Sequence, residues 1–366
     1  MESFGFIVHP FSAKDIARKF PIAKQLPEGL LETAIKYVPS FKISSITDVK
    51  SVHNEAEGLF ICCPLTTRQM VELPEPFVIN RIIQAGKVAE KAGAKIVGLG
   101  AFTSVIGDAG ITVAKNLNIA VTTGNSYTVA TALQGAQEAA GLMGIDMGSA
   151  NIVVLGATGS IGSACAHVLA GRAKYLTLVA RNEVKMDKLA SQIFRDTGLA
   201  VRTTANTKAA LRSADIVIAV TSAIDTIIDV DDLKPGAIVC DVARPRSVSK
   251  AVAEKRNDVL VIEGGVVEVP GDVQFNLNFG FPPKTAYACM AETMILALEG
   301  RYENFTLGRE LTIKQIEKIS QLAAKHGFKL AGFRSFERAI TMEEIAQIRL
   351  NAELKKKIML QDGYTA

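Results

Sequence analysis

The segment Gly156-Ala-Thr-Gly159-Ser-Ile-Gly162 follows the apolar run Asn151–Leu155 and precedes a helical pattern that continues to Leu169. A strand, a glycine turn and a helix N-terminus in that order form a cradle for anions. Gly156 permits the turn off the strand, Gly159 lets backbone amides approach a pyrophosphate, and Gly162 allows the helix to pack closely on the strand. The first N–H groups of the helix add partial positive charge. With Thr158, Ser160 and Ile161, these three glycines are the expected dinucleotide cradle. The spacing is GxxGxxG, one residue longer than GxGxxG and common among NADP-dependent proteins. The second strand ends 25 residues beyond Gly156, at Ala180-Arg181-Asn182. An NAD site would place a carboxylate there. A cation without a competing carboxylate favours the 2′-phosphate of NADPH, with Arg181 and Asn182 as its contacts. The plainer alternative is that Arg181 is a solvated loop residue. Thr221 and Ser222 after the fourth strand and Asp241 after the fifth are expected to border the nicotinamide, although Asp241 suits a turn cap equally well.

Five cysteines form no CxxC pair and no metal spacing, and no two of the four histidines stand at ligand spacing, so no metal site is expected. Cys62, Cys63, Cys165 and Cys240 lie inside apolar patterns and read as packed side chains. Cys289 follows a loop rich in glycine and proline. It sits one position off the Met290–Met294 stripe and shares a face with Thr285 and Glu292. On a helix expected from Thr285 to Leu298 it falls in the second turn. There the dipole gives a thiol modest help toward a pKa at or below the free value of about 8.5. Spacing alone makes packing the plainer reading for Cys289 and nucleophile the sharper one. His326 reads as a helix C-terminal cation, His167 as surface or packing, and His9 and His53 as residues of polar turns.

Strand-like runs at Phe4–Val8, Phe41–Ser45, Leu59–Cys63 and Lys95–Leu99 alternate with helical stretches at Ser12–Lys24, Val78–Gly93 and Tyr127–Met143. A second series begins at Asn151 and continues through Leu176–Ala180, Val201–Thr204, Ile216–Val220, Ile238–Val242 and Val259–Ile262, six strands in all. Such alternation predicts an α/β chain with a doubly wound parallel sheet binding the dinucleotide. The expected partition is an N-terminal α/β domain over 1–145, a Rossmann domain over 146–270, and C-terminal helices over 271–366. The helices include one opened by the capping box Thr312–Gln315 and closed by Lys325-His326-Gly327.

With 366 residues, 48% hydrophobic and 21% charged, the chain is an ordinary globular sequence rather than a disordered one. Its net charge of +4 is small and dispersed, and aromatic residues are 6% with no tryptophan, so nucleic acid is not an expected partner. The apolar runs are too short to cross a bilayer, and the N-terminus lacks the pattern of a signal peptide. The sequence therefore points to the cytoplasm.

The glycine loop Val153–Gly162 is one of several blocks with a shared resemblance. The others are Gly100–Ile106, Thr122–Thr128, Glu263–Glu268 and Tyr287–Met294 continuing to Glu299-Gly300. Together they resemble the aldehyde-forming long-chain acyl-[acyl-carrier-protein] reductases of cyanobacteria and their bacterial relatives. The resemblance runs from about Phe4 to Phe328. It implies that Cys289 takes the acyl group as a thioester and that NADPH reduces it to an aldehyde. The expected substrate is a long-chain acyl thioester on acyl carrier protein or coenzyme A. Ser126 and Tyr127, or backbone amides near Gly264-Gly265, could steady the oxyanion, with helix capping and packing the competing role for both side chains. The competing enzyme class is a dehydrogenase of the shikimate or amino-acid type, acting without a covalent intermediate. The tail beyond Gly332 reads as a peripheral or oligomer-forming element.

Overall fold

The computed structural model describes residues 2–12, 15, 27–221, 226–243, 245–336 and 338–361. The helix expected over Ser12–Lys24 lies largely outside them. In chain order, β1 (Glu2–Val8), β2 (Phe41–Lys50), β3 (Glu55–Cys62), α1 (Glu75–Lys91), β4 (Ile96–Leu99) and β5 (Ala120–Thr122) precede α2 (Asn125–Met143). Next come β6 (Asn151–Leu155), α3 (Ser160–Ala170), β7 (Tyr175–Val179), α4 (Glu183–Thr197), β8 (Arg202–Thr204), β9 (Ile216–Ala219), β10 (Ile238–Asp241) and β11 (Leu260–Glu263). The chain ends with α5 (Ala288–Leu298), α6 (Ile313–His326) and α7 (Met342–Gln361).

Two compact units form, each from two stretches of chain: 1–127 with 267–329, and 128–266 with 330–366. The units therefore do not follow the contiguous boundaries at 145/146 and 270/271 that the sequence suggests. The reason is where two C-terminal helices bury their apolar residues. α5 is apolar almost all round and packs on β1, β3 and β4, so it belongs with the N-terminal sheet. α7 belongs with the second unit.

The first unit holds a sheet of order β2-β3-β1-β4-β5. Its strands run parallel except β2, which pairs antiparallel with β3 at the edge and bulges near Asp48. Side chains alternate across β1. Gly5 and Ile7 face α1, whose Val78, Ile82, Ala85 and Ala89 bury against Ile7, Ile61, Val97 and Leu99. Phe6 shares the other face with Gly98, where an added Cβ would lie 2.0 Å from Thr293 Oγ1. Only glycine lets α5 approach that closely.

The second unit holds six parallel strands in the order β11-β10-β9-β6-β7-β8. Numbered within the sheet this is 6-5-4-1-2-3, the doubly wound order with its switch point between β6 and β9. The central strands β6, β9 and β10 and the edge strand β11 are buried on both faces, as their Val/Ile/Leu-rich runs require, whereas the edge strand β8 is largely exposed. The tail is not peripheral to this unit. Ile345 and Ala352 of α7 are buried, and Lys355 Nζ reaches the fully shielded Asp258 at 3.1 Å, beside the Arg256 guanidinium at 2.8 Å. Among the described residues no helix is long and apolar enough to cross a membrane.

Candidate active site

The glycine loop takes the form its spacing requires. Gly156 has φ +85°, and a Cβ there would lie 2.8 Å from Thr221 Cα, so the loop passes directly over the end of β9. The Gly156 and Ala157 N–H groups donate to Val179 O at 2.9 and 3.1 Å, tying the turn to β7. A Cβ on Gly162 would fall 2.3 Å from Gly156 O. Gly159 is the N-cap of α3 and offers no capping side chain, which leaves the first N–H groups of the helix open to an anion. Ser160 Oγ is buried with no partner among the described residues, and Thr158 and Ile161 flank it. These features fit a dinucleotide pyrophosphate.

Arg181 is exposed at the end of β7 and makes no hydrogen bond or ion pair to a described residue. Asn182 spends its side-chain oxygen on α4, accepting from Lys185 N–H at 2.9 Å. Thr221 lies against Gly156, while Ser222 lies outside the described residues. Asp241 is buried, and its carboxylate accepts from the backbone N–H groups of Ala243, Ser247 and Val248 at 3.1, 2.8 and 3.0 Å. Of its two sequence readings, the turn-forming one is what the geometry displays.

Cys289 belongs to the first unit. The helix expected from Thr285 starts later, because Thr285–Tyr287 forms a short strand. Tyr287 is then the N-cap, and Cys289 stands in the first turn rather than the second. It is the one cysteine with partial exposure, the other four being buried. Gly124, at φ +74°, lies against it: a Cβ there would be 2.3 Å from Cys289 Cα and 2.4 Å from its Cβ. Burial of the sulfur pushes the thiol up to about 12, which backbone N–H groups of Met290, Cys289 and Ala101 offset only in part and nearby Glu292 reinforces. The expectation of a thiol at or below its free value is thus corrected. Desolvation outweighs the helix terminus, and the resting group is a protonated thiol.

Glu292 lies one turn further along α5 and is fully buried in an otherwise apolar helix. Its carboxylate accepts from Thr122 Oγ1, from Thr306 Oγ1 at 2.8 Å, from Tyr127 N–H at 2.9 Å and from Gly124 N–H. Burial holds its pKa above the usual carboxylate range despite these donors. The two residues expected to steady an oxyanion are engaged elsewhere. Ser126 Oγ pairs with Thr306 Oγ1 at 2.9 Å, and Tyr127 gives its backbone to Glu292 while burial raises its phenol. Between Gly124 and Ser126, Asn125 is buried and its Nδ2 has no partner among the described residues.

Sequence reasoning placed Glu292 on the face of Cys289 but gave it no role, although a lone carboxylate inside Ala288–Leu298 was a visible signal. It also placed His9 in a polar turn, yet the ring is buried. Burial takes its pKa down to about 4, and its Nε2 accepts from Phe102 N–H at 3.2 Å. His326 stands in the last turn of α6, as expected, but is buried there between Glu299 and Ser51. Among the described residues no cluster of three or more His, Cys, Asp or Glu suited to a metal is present.

Comparison with known proteins bears out the resemblance read from the blocks. The model of the shikimate/quinate 5-dehydrogenase family matches residues 136–263. The chain is 29% identical over 348 residues to the long-chain acyl-[acyl-carrier-protein] reductase of Synechococcus elongatus, covering 89% of this chain and 98% of that protein. It is also 29% identical over 360 residues to the aminotransferase PigE of a Serratia species, covering 94% of this chain but spanning only 42% of that longer protein. Among solved structures, quinate dehydrogenase from Corynebacterium glutamicum in complex with NAD aligns over 71% of this chain and 87% of its own, at 16% identity and a TM-score of 0.37. The family match and the similarity to the Synechococcus reductase support an oxidoreductase that uses a nicotinamide cofactor.

Proposed function

We propose that the protein is an NADPH-dependent reductase of long-chain acyl thioesters, releasing an aldehyde through an acyl-enzyme on Cys289. The observation that carries this reading is the first-turn position of the single partly exposed cysteine, beneath Gly124 and beside the Ala101 N–H, in a chain similar throughout to an acyl-[acyl-carrier-protein] reductase. Gly156, Thr158, Gly159, Ser160, Ile161 and Gly162 would hold the pyrophosphate, and Arg181 the 2′-phosphate. When bound, NADPH supplies the hydride.

The Cys289 thiol exchanges with the incoming thioester. Its sulfur bonds the acyl carbon, the carrier's sulfur leaves, and the thiol proton passes to that sulfur, so the carrier departs as a thiol. Reduction of the acyl carbon then places negative charge on oxygen; collapse to the aldehyde breaks the carbon–sulfur bond and expels Cys289 as a thiolate, which takes a proton from water. The Ala101 N–H and the unpartnered Asn125 amide are the donors this segment offers that oxygen.

A second reading has one observation in its favour: residues 136–263 match the shikimate/quinate dehydrogenase model, whose enzymes would hold a substrate without a covalent bond. Intact-mass spectrometry separates the two. Given a long-chain acyl thioester and no NADPH, the protein should gain one acyl mass, labile to hydroxylamine and absent in Cys289→Ala. Turnover in Cys289→Ala without any adduct in the wild type would favour direct reduction. Parallel assays with acyl carrier protein and coenzyme A thioesters identify the carrier.

A further inference from the structure

We propose that Glu292 is a positioning residue for Cys289, its carboxylate pinning the Thr122–Tyr127 turn so that Gly124 lies on the nucleophile's backbone. The inference rests on the proposed acyl-enzyme reading but is built from separate contacts. A carboxylate inside an apolar helix is costly unless its oxygens are satisfied, and here they meet four donors from three places. Thr122 closes β5, Gly124 and Tyr127 open α2, and Thr306 lies in the segment after α5. One side chain thus fixes both ends of the turn that touches Cys289, three residues before Glu292 on the same helix.

The arrangement uses the length of the side chain. Removing Gly124 N–H or Tyr127 N–H from the carboxylate would leave a buried backbone donor unmet, so the turn is held at a definite distance from α5. That distance leaves no room for a Cβ at Gly124. The titratable groups beside the carboxylate are Cys289 on its own helix and Tyr127, whose backbone it holds; Thr122 and Thr306 are uncharged. The charge on Glu292 therefore reaches the thiol directly.

Two substitutions separate reach from charge. In Glu292→Gln the Oε1 can accept from the backbone donors while Nε2 faces the two threonine oxygens, so reach is kept and charge is lost. Glu292→Asp keeps the charge but is one methylene short. The single-turnover acylation rate of Cys289 is measured per folded molecule, alongside the pH dependence of Cys289 alkylation by iodoacetamide, followed by peptide mass spectrometry. Acylation should fall about tenfold or more in Glu292→Asp and stay within about threefold in Glu292→Gln. The alkylation profile should move down by about one pH unit in Glu292→Gln. Wild-type acylation per folded molecule in both variants, with a superimposable alkylation profile, would make Glu292 purely structural and overturn the inference. If wild type takes no acyl group, the functional reading fails, and the alkylation comparison alone decides the role of Glu292. Should neither variant fold, Thr122→Val and Thr306→Val each remove one donor: slower acylation or a shifted alkylation profile supports the inference, and unchanged values for both overturn it.

Discussion

Replacing Gly124 with alanine tests the packing around Cys289 most directly. Two costs apply. At φ +74° an L side chain is strained, which costs roughly 1–2 kcal/mol. The new methyl would also lie 2.3–2.5 Å from Cys289 Cα, Cβ and O, mostly backbone atoms that cannot swing aside. Overpacking of this kind typically costs about 1–3 kcal/mol more, so Gly124→Ala should lose about 2–5 kcal/mol. Gly93→Ala provides the control. It shares the strain, at φ +89°, but has nothing within 4 Å of the added carbon. Urea unfolding with unchanged m-values gives both numbers, and their difference isolates the contact with Cys289. Acylation should slow in Gly124→Ala and not in Gly93→Ala. Equal destabilisation of the two variants would refute the claim that Gly124 is pressed against Cys289.

Other outcomes follow from the same geometry. Arg181→Ala should weaken NADPH binding by about 1.5–3 kcal/mol while NADH changes little, measured by fluorescence titration; equal losses for both would remove the 2′-phosphate role. Asp258→Ala strands the Arg256 guanidinium and should cost about 3–5 kcal/mol in chemical denaturation, whereas Lys355→Ala, at a half-exposed partner, should cost less than about 1. Burial raises the Asp258 carboxyl, but Arg256 and Lys355 outweigh it and hold the group below the usual range. Its stabilisation is therefore present above the unfolded carboxylate pKa of about 4 and fades as pH falls through the lower folded value, a loss that Asp258→Asn should not show. Deleting 333–366 removes the buried Ile345 and Ala352 and the Lys355 contact, so a cooperative thermal transition of the second unit should weaken or vanish.

The second sheet was legible almost strand by strand, because parallel strands buried on both faces read as uninterrupted aliphatic runs. The glycine loop was legible because its three glycines answer local demands, a positive φ and two close approaches. Cys289 could be singled out, but its environment could not. Whether Thr285 begins a helix or a strand depends on partners elsewhere in the chain, and that choice moved the cysteine by a turn. Its pKa depends on desolvation, which no local spacing encodes. The hydrogen-bond partners of Asp241, Ser126 and Asn182 were not legible, since a polar side chain shows its type in sequence but not the group it meets. Glu292 carried the opposite signal, a charge where the helix pattern allows none, and only the four donors from distant segments explain it.

The interleaved build of the two units bears on how the chain is made. During synthesis the first 127 residues emerge with the α5 face of their sheet uncovered, since α5 is encoded after the whole of the six-strand sheet. The nucleotide-binding strands can thus assemble while the earlier sheet still waits for its cover, exposing Phe6 and its neighbours to chaperones or to other nascent chains. The helix that ends this exposure is the one bearing Cys289. Closure of the sheet and placement of that cysteine are consequently a single late event, and a chain stalled before residue 288 would carry the six-strand sheet but leave the first sheet uncovered.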